Sequence, residues 1–246
     1  MAETGETKKI MIAMAHPGLE RQLGVNGVVL FSGGLDSAVV LAYAQRTVNK
    51  VTALCVSYGQ SSPELNFAIQ FCNRLGIDFR IAEIGGMFQG RVALTQDAEL
   101  PTSDPKSEEQ KVTVVPNRNG VLLMLGVAEA IMTGASRVYS GIQSGGRMLY
   151  PDNRLDYLEC LTKAAFLAND EYPIELRHPF CGACKSEIVR VGSVLGVPFE
   201  LTCSCYRRSV DNPFASQHCG VCKACQTRRA AFIEAGVEDP TEYEKP

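Results

Sequence analysis

Apolar residues in this chain come in short runs separated by longer stretches of helical spacing, with glycine-bearing loops between them. Val28-Val29-Leu30-Phe31 is one such run, Ser32 to Ser37 is a glycine loop, and residues 38–46 read as a buried helix. The β-branched stretch 51–58 predicts a second strand, and Leu65, Ala68, Ile69 and Cys72 give residues 63–75 one apolar helical face. A third strand is expected over 79–84. Residues 85–112 mix glycine, proline and charge, and read as a long excursion of the kind that forms an active-site lid. Beyond it the pattern predicts a helix over 119–133, a strand over 137–142, a loop over 143–150, a helix over 152–167, a strand over 174–177 and a helix over 185–195. Strands alternating with helices in this manner predict an α/β fold with a parallel sheet covered on both faces. Ligands of such sheets collect beyond the carboxyl ends of the strands, where the loops starting at Ser32, Ser57 and Gln143 are expected. The polar residues 1–7 and the charged tail from 238 are expected to carry none of the fold.

Composition narrows the class. With 246 residues, 46% hydrophobic and 21% charged, the chain can bury one sizeable core and falls among globular proteins. No apolar stretch approaches the roughly 18 residues of a membrane span. A net charge of −3 supplies no cationic surface for duplex nucleic acid. The apolar run after Lys8 and Lys9 is too brief for a secretory signal, so a cytoplasmic protein is expected. Ten cysteines then need a use other than disulfides, which a reducing compartment does not maintain. Cys55, Cys72 and Cys160 stand alone among apolar neighbours and read as packing residues.

The other cysteines are not scattered. Cys203, Cys205, Cys219, Cys222 and Cys225 crowd into 23 residues, and the last three recur at intervals that let one turn present them to a single ion. Cys205 is the preferred fourth ligand, with Cys203 and His218 as alternatives. A four-thiolate set selects Zn²⁺ or an iron–sulfur cluster, and structural zinc is preferred. A sulfur-carrying thiol and a set of free thiols are the rival readings. Cys181 and Cys184 share the spacing without obvious partners and read as a loop feature.

The sharpest signal is Ser32-Gly33-Gly34-Leu35-Asp36-Ser37 between an apolar strand and a helix. Glycines let backbone approach an anion closely, a helix start directs N–H groups and a positive dipole end at it, and two hydroxyls add donors. No Walker lysine is present, so the phosphate geometry should differ from that of ordinary P-loop proteins. Asp36 suits Mg²⁺ held beside phosphate, or the orientation of the loop. The bland alternative is a tight turn in which Asp36 or Ser37 caps the helix.

This hexapeptide resembles the pyrophosphate loop of the N-type ATP pyrophosphatases, Ser-Gly-Gly-x-Asp-Ser, which implies cleavage of ATP to leave an adenylated substrate. With the cysteine cluster it resembles one branch of them, the 7-cyano-7-deazaguanine synthases. Tyr58-Gly59-Gln60, the stretch 115–119, Tyr150-Pro151-Asp152, the stretch 185–188, Ser204-Cys205-Tyr206 and the stretch 231–236 extend the likeness over residues 28–240. The resemblance implies a doubly wound, Rossmann-like pyrophosphatase domain over 25–200, a zinc-binding segment over 201–236, an extension over 1–24 and a tail over 237–246. It implies a carbon–nitrogen ligase that turns 7-carboxy-7-deazaguanine into the 7-nitrile with ATP, Mg²⁺ and ammonia, and a possible homodimer. The implied nucleotide-binding residues are Phe31, Ser32, Gly33, Gly34, Leu35, Asp36, Ser37, Ala38, Val39, Val40 and Leu41. Asp36, Arg118 and Lys185 are the implied catalytic residues, Tyr58, Gln60, Gln143, Arg147 and Asp152 the substrate residues, and Cys205, Cys219, Cys222 and Cys225 the metal ligands. Departures from the family pattern fall at Ser57, Ser62, Gln143, Gly146 and Arg147, where the substrate would be read. A related ligase with another carboxylate or a tRNA base as acceptor, and a non-catalytic nucleotide-binding protein, are the other readings.

Overall fold

The computed structural model describes residues 22–59, 64–88, 114–144, 150–169, 172–205 and 218–244. Strands β1 (Gln22–Leu30), β2 (Val48–Ser57), β3 (Phe79–Glu83), β4 (Arg137–Tyr139) and β5 (Glu175–Arg177) form one parallel sheet in the order β3-β2-β1-β4-β5. Helices α1 (Leu35–Thr47), α2 (Glu64–Leu75), α3 (Gly85–Phe88), α4 (Arg118–Thr133), α5 (Leu155–Leu167), α6 (Lys185–Leu195) and α7 (Lys223–Ala235) accompany it. This is the doubly wound α/β architecture that the alternation of patterns predicts. Of the long excursion over 85–112, only α3 lies within the described residues.

Two adjacent residues of β1 show why the sheet is covered twice. Successive side chains of a strand point to opposite faces, and Val28 and Val29 are both fully buried. Val28 joins Leu54, Leu123, Val127, Val138 and Leu158 beneath α4 and α5. Val29 joins Val39, Phe71, Ile188 and Phe232 beneath α1, α2, α6 and α7. Close approach on that second face needs a glycine in α6, because a side chain at Gly192 would begin 2.5 Å from Phe199 and 2.6 Å from Val39. The strand order reverses at β1, so the loops after β1 and β4 flank the crevice where doubly wound sheets hold ligands.

Three expectations are corrected. The strand expected from Val28 begins at Gln22, so the boundary at 24 falls inside β1. Its first residues hold only the brief alternation of Leu23 and Val25 among Gln22, Gly24, Asn26 and Gly27, and the ladder to β2 is irregular between Gln22 and Asn26. The C-terminal segment and its tail are built into the fold: α7 packs on α6, and Ala231 and Phe232 enter the main core. Past 238, the Asp239 carboxylate accepts from the buried Arg228 and from Tyr243, whose ring lies under Arg229. Cys55 and Cys72 are buried as expected, whereas Cys160 lies on the exposed face of α5. Among the described residues no helix is long and apolar enough to cross a membrane.

One buried group makes stability depend on pH. His178, just past β5, bonds Ser140 Oγ through Nδ1 at 2.7 Å, and burial pushes its pKa down to about 4. In the unfolded chain it titrates near 6.5. Between these values the unfolded state binds more protons, so this contribution is complete above about pH 6.5 and is lost as pH falls through about 4. The drop in Tm between about pH 7 and about pH 5 is expected to shrink in His178→Gln. An unchanged drop would refute the assignment.

Candidate active site

The glycine loop connects β1 to α1 and is held by its own hydroxyls. Ser37 Oγ donates to Gly34 O at 3.0 Å, Ser32 N donates to Ser37 Oγ at 3.3 Å, and the two serine hydroxyls are 3.1 Å apart. Gly33 has φ +80°, and a side chain there would begin 2.7 Å from Ala68 N and Glu64 O of α2. Only glycine satisfies both the turn and that approach. Gly34 is the N-cap of α1 and no side chain caps it, so neither Asp36 nor Ser37 serves as the cap. Uncapped N–H groups at a helix start, with hydroxyls beside them, suit a bound phosphate. Phe31, Leu35, Ala38, Val39, Val40 and Leu41 are buried in the core beneath the loop. Their side chains support the loop from behind, so any contact they make with a nucleotide would come from their backbone.

Lys185 comes to this loop from far along the chain. It is the first residue of α6, and its Nζ lies 2.5 Å from Asp36 Oδ2. The other oxygen, Asp36 Oδ1, is buried without a hydrogen-bond partner among the described residues. A bare carboxylate oxygen beside a phosphate cradle fits a hard cation such as Mg²⁺. Cys184 is the N-cap of α6: its amide donates to Glu187 Oε2 at 2.7 Å, which makes the Cys181–Cys184 loop a helix entry.

A second group gathers at the start of α4. Arg118 donates from Nη1 to Tyr58 OH at 3.3 Å, with its guanidinium carbon 5.6 Å from the ring centroid. Burial opposes its charge, yet Tyr58, Glu64 and Asp152 together hold its pKa above the ordinary arginine value. Burial raises the Glu64 carboxyl, and Arg118 offsets part of that. Asp152 Oδ2 accepts from Asn119 N at 3.0 Å, fixing a negative charge at the positive end of α4. Asn119 Nδ2 donates to Asn153 Oδ1, whose own amide donates to Gln143 O at 3.2 Å. Gln143 Nε2 is a buried donor without a partner among the described residues, available to an acceptor on a ligand. Gln60 and Arg147 lie outside the described residues. Glu64 links the two groups, since its backbone touches Gly33 and its carboxyl faces Arg118.

The cysteine cluster lies in the C-terminal segment. The sulfurs of Cys205, Cys219, Cys222 and Cys225 all fall within 4.8 Å of one another, with Cys222 and Cys225 3.4 Å apart. Zinc bonds of about 2.3 Å give a tetrahedral sulfur–sulfur edge of about 3.8 Å, so the four fit one ion. Cys205 completes the group. Cys203 stands outside it, and His218 Nε2 is taken by Ser204 N at 3.0 Å. Sequence reading missed Glu64 and Arg228, because a carboxylate opening a helix and an arginine within one look like surface residues until tertiary structure brings Glu64 to Arg118 and buries Arg228.

Residues 26–236 match the model of the queuosine biosynthesis protein QueC. A 7-cyano-7-deazaguanine synthase of Pseudoalteromonas atlantica is 38% identical over 220 residues, 88% of this chain and 98% of that protein. One from Thermoplasma acidophilum is 38% identical over 224 residues, 89% of this chain and 92% of that protein. Among solved structures, a 4-thiouridine synthetase–RNA complex with bound ATP aligns at a TM-score of 0.47 and 17% identity, over 85% of this chain and 54% of that one. Matched by that model over residues 26–236, and 38% identical to synthases that it covers almost end to end, the chain belongs to the QueC family.

Proposed function

We propose that this protein converts 7-carboxy-7-deazaguanine, ammonia and two ATP into 7-cyano-7-deazaguanine, releasing AMP and pyrophosphate twice. The observation that carries the reading is the uncapped glycine loop with the Asp36–Lys185 pair beside it, in a chain alike over most of its length to proteins named for that product. A carboxylate oxygen leaves poorly until it is esterified. Attack of the substrate carboxylate on the α-phosphorus expels pyrophosphate and gives an acyl adenylate. Ammonia then displaces AMP to form the amide. The amide oxygen attacks a second ATP, and loss of AMP together with the remaining nitrogen protons gives the nitrile.

In this scheme Ser32, Gly33, Gly34 and Ser37 bind the departing phosphates, and Asp36 holds Mg²⁺ against them. Arg118 and Lys185 stabilise negative charge as the α-phosphorus is attacked. Tyr58, Gln60, Gln143, Arg147 and Asp152 surround the base, Gln143 supplying a donor to its edge and Arg147 a partner for its carboxylate. Asp152 also acts on Arg118 through the start of α4. Cys205, Cys219, Cys222 and Cys225 hold a structural Zn²⁺, which supplies a cross-link with no open position for chemistry. Free thiols and a demand for ATP fit a cytoplasmic protein, and a homodimer fits the family tendency.

Incubation with ATP, Mg²⁺, ammonium and 7-carboxy-7-deazaguanine, followed by mass spectrometry, is expected to give the amide, then the nitrile, with AMP and pyrophosphate. ADP and phosphate as the main nucleotide products would overturn the loop assignment. AMP formation with some other acid and none with the deazaguanine would overturn the substrate.

A further inference from the structure

The C-terminal segment reaches the glycine loop through its backbone. Cys203 N donates to Gly33 O at 2.9 Å, and Cys203 O lies 3.6 Å from where a side chain on Gly34 would begin. Behind this contact stands Arg228, an arginine with no exposed surface. Its Nη2 donates to Phe199 O at 2.8 Å, and its Nη1 donates to Thr202 Oγ1 at 2.8 Å and Ser204 Oγ at 3.2 Å. Nε donates to Asp239 Oδ1 at 3.4 Å. Taking a guanidinium out of water costs several kcal/mol, and three of the four bonds that offset this cost go to the stretch 199–204. That stretch ends on Cys205, and Arg228 lies one helical turn past Cys225, so one helix organises both the thiol cluster and the contact with the loop.

Planarity of the peptide gives the contact its consequence. Gly33 C=O and Gly34 N–H belong to one trans peptide unit and point in opposite directions. Fixing the carbonyl on Cys203 aims the amide away from the segment, toward Ser32 Oγ, which it reaches at 3.3 Å. Two adjacent glycines would otherwise let this peptide turn over at little cost. We propose that Arg228 is a positioning residue for the nucleotide: it holds residues 199–204 as a strap whose Cys203 amide locks the Gly33–Gly34 peptide with its N–H toward the phosphates. The inference rests on the loop being the nucleotide site.

Cys203→Pro deletes the strapping amide, together with a buried thiol. Thr202, at φ −99° and ψ 142°, already has the extended backbone that precedes proline. Titration calorimetry with ATP and Mg²⁺ is expected to show Kd raised about tenfold in this variant, and in Arg228→Lys, which keeps the charge and loses the fork. At saturating ATP the KM for the deazaguanine acid should stay within about twofold and the metal content should not change. Should Cys203→Pro fail to fold, Arg228→Lys and Thr202→Val carry the same comparison. Wild-type affinity in the folded variants, or equal losses toward both substrates, would overturn the strap and leave the nucleotide site standing. A wild-type protein that binds no ATP would overturn the site itself, and the strap with it.

Discussion

Replacing Asp36 by alanine is expected to lower kcat by about 10²- to 10³-fold while moving Tm by only a few degrees, about 2–4 °C at most for a chain of this size. The small thermal effect follows from the partner. Asp36 and Lys185 keep 27% and 28% of their side-chain surfaces exposed, and a pair so close to water contributes at most about 1 kcal/mol. The large kinetic effect follows from the other oxygen, Oδ1, buried and without a hydrogen-bond partner among the described residues. If it holds a cation against the departing phosphates, alanine removes charge stabilisation of the transition state. Alanine also leaves Lys185 without its carboxylate, so the KM for ATP should hold or fall. Steady-state kinetics with calorimetric melting read both quantities. A defect confined to KM, or a loss of activity that simply tracks unfolding, would return Asp36 to a structural role.

Cys225→Ser should empty the thiol cluster and lower Tm by more than about 10 °C. Cys225 is fully buried at the third position of α7, 3.4 Å from the Cys222 sulfur and 3.9 Å from that of Cys219. A structural four-thiolate zinc contributes about 10–16 kcal/mol of apparent binding free energy, as much as a whole domain's stability. The damage should not remain local. α7 also carries Phe232 into the main core and Arg228 beneath the strap, so an unfolded segment opens one face of the sheet. Metal analysis and melting curves check this, with Cys203→Ser as the control that keeps its metal. Metal lost from Cys203→Ser and kept by Cys205→Ser would show that the ligand set is wrong.

Much of the fold was legible because strand and helix periods differ and the buried strands are strongly apolar. Helix α6 begins and ends where its spacing predicts, and β2, β3 and α4 do so within a few residues. The start of β1 was hidden because glycine and asparagine cut the alternation of Leu23 and Val25 short, and its place in the sheet comes from ladder bonds to β2. At the site, the glycine loop and the four cysteines were readable because spacing along the chain is itself the signal. The Lys185–Asp36 pair joins residues 149 apart, so its geometry is a product of the sheet order. Glu64 and Arg228 were invisible for the same reason: what distinguishes them is a tertiary contact with Arg118 in one case and full burial in the other, which sequence distance does not report.

The order of strands also sets a timetable. β1 pairs with β2 through neighbouring sequence, but its other edge waits for β4, with Gly27 opposite Arg137. Those partners are 110 residues apart, and a ribosome adding about 5–20 residues per second takes roughly 5–20 s to make the chain between them. Through that interval the nascent protein holds a completed glycine loop beside an open, strongly apolar strand edge. Closing so long a loop is slow by topology alone. Chaperone demand and aggregation during expression should therefore concentrate in that interval, before the crevice beside the glycine loop has its second wall.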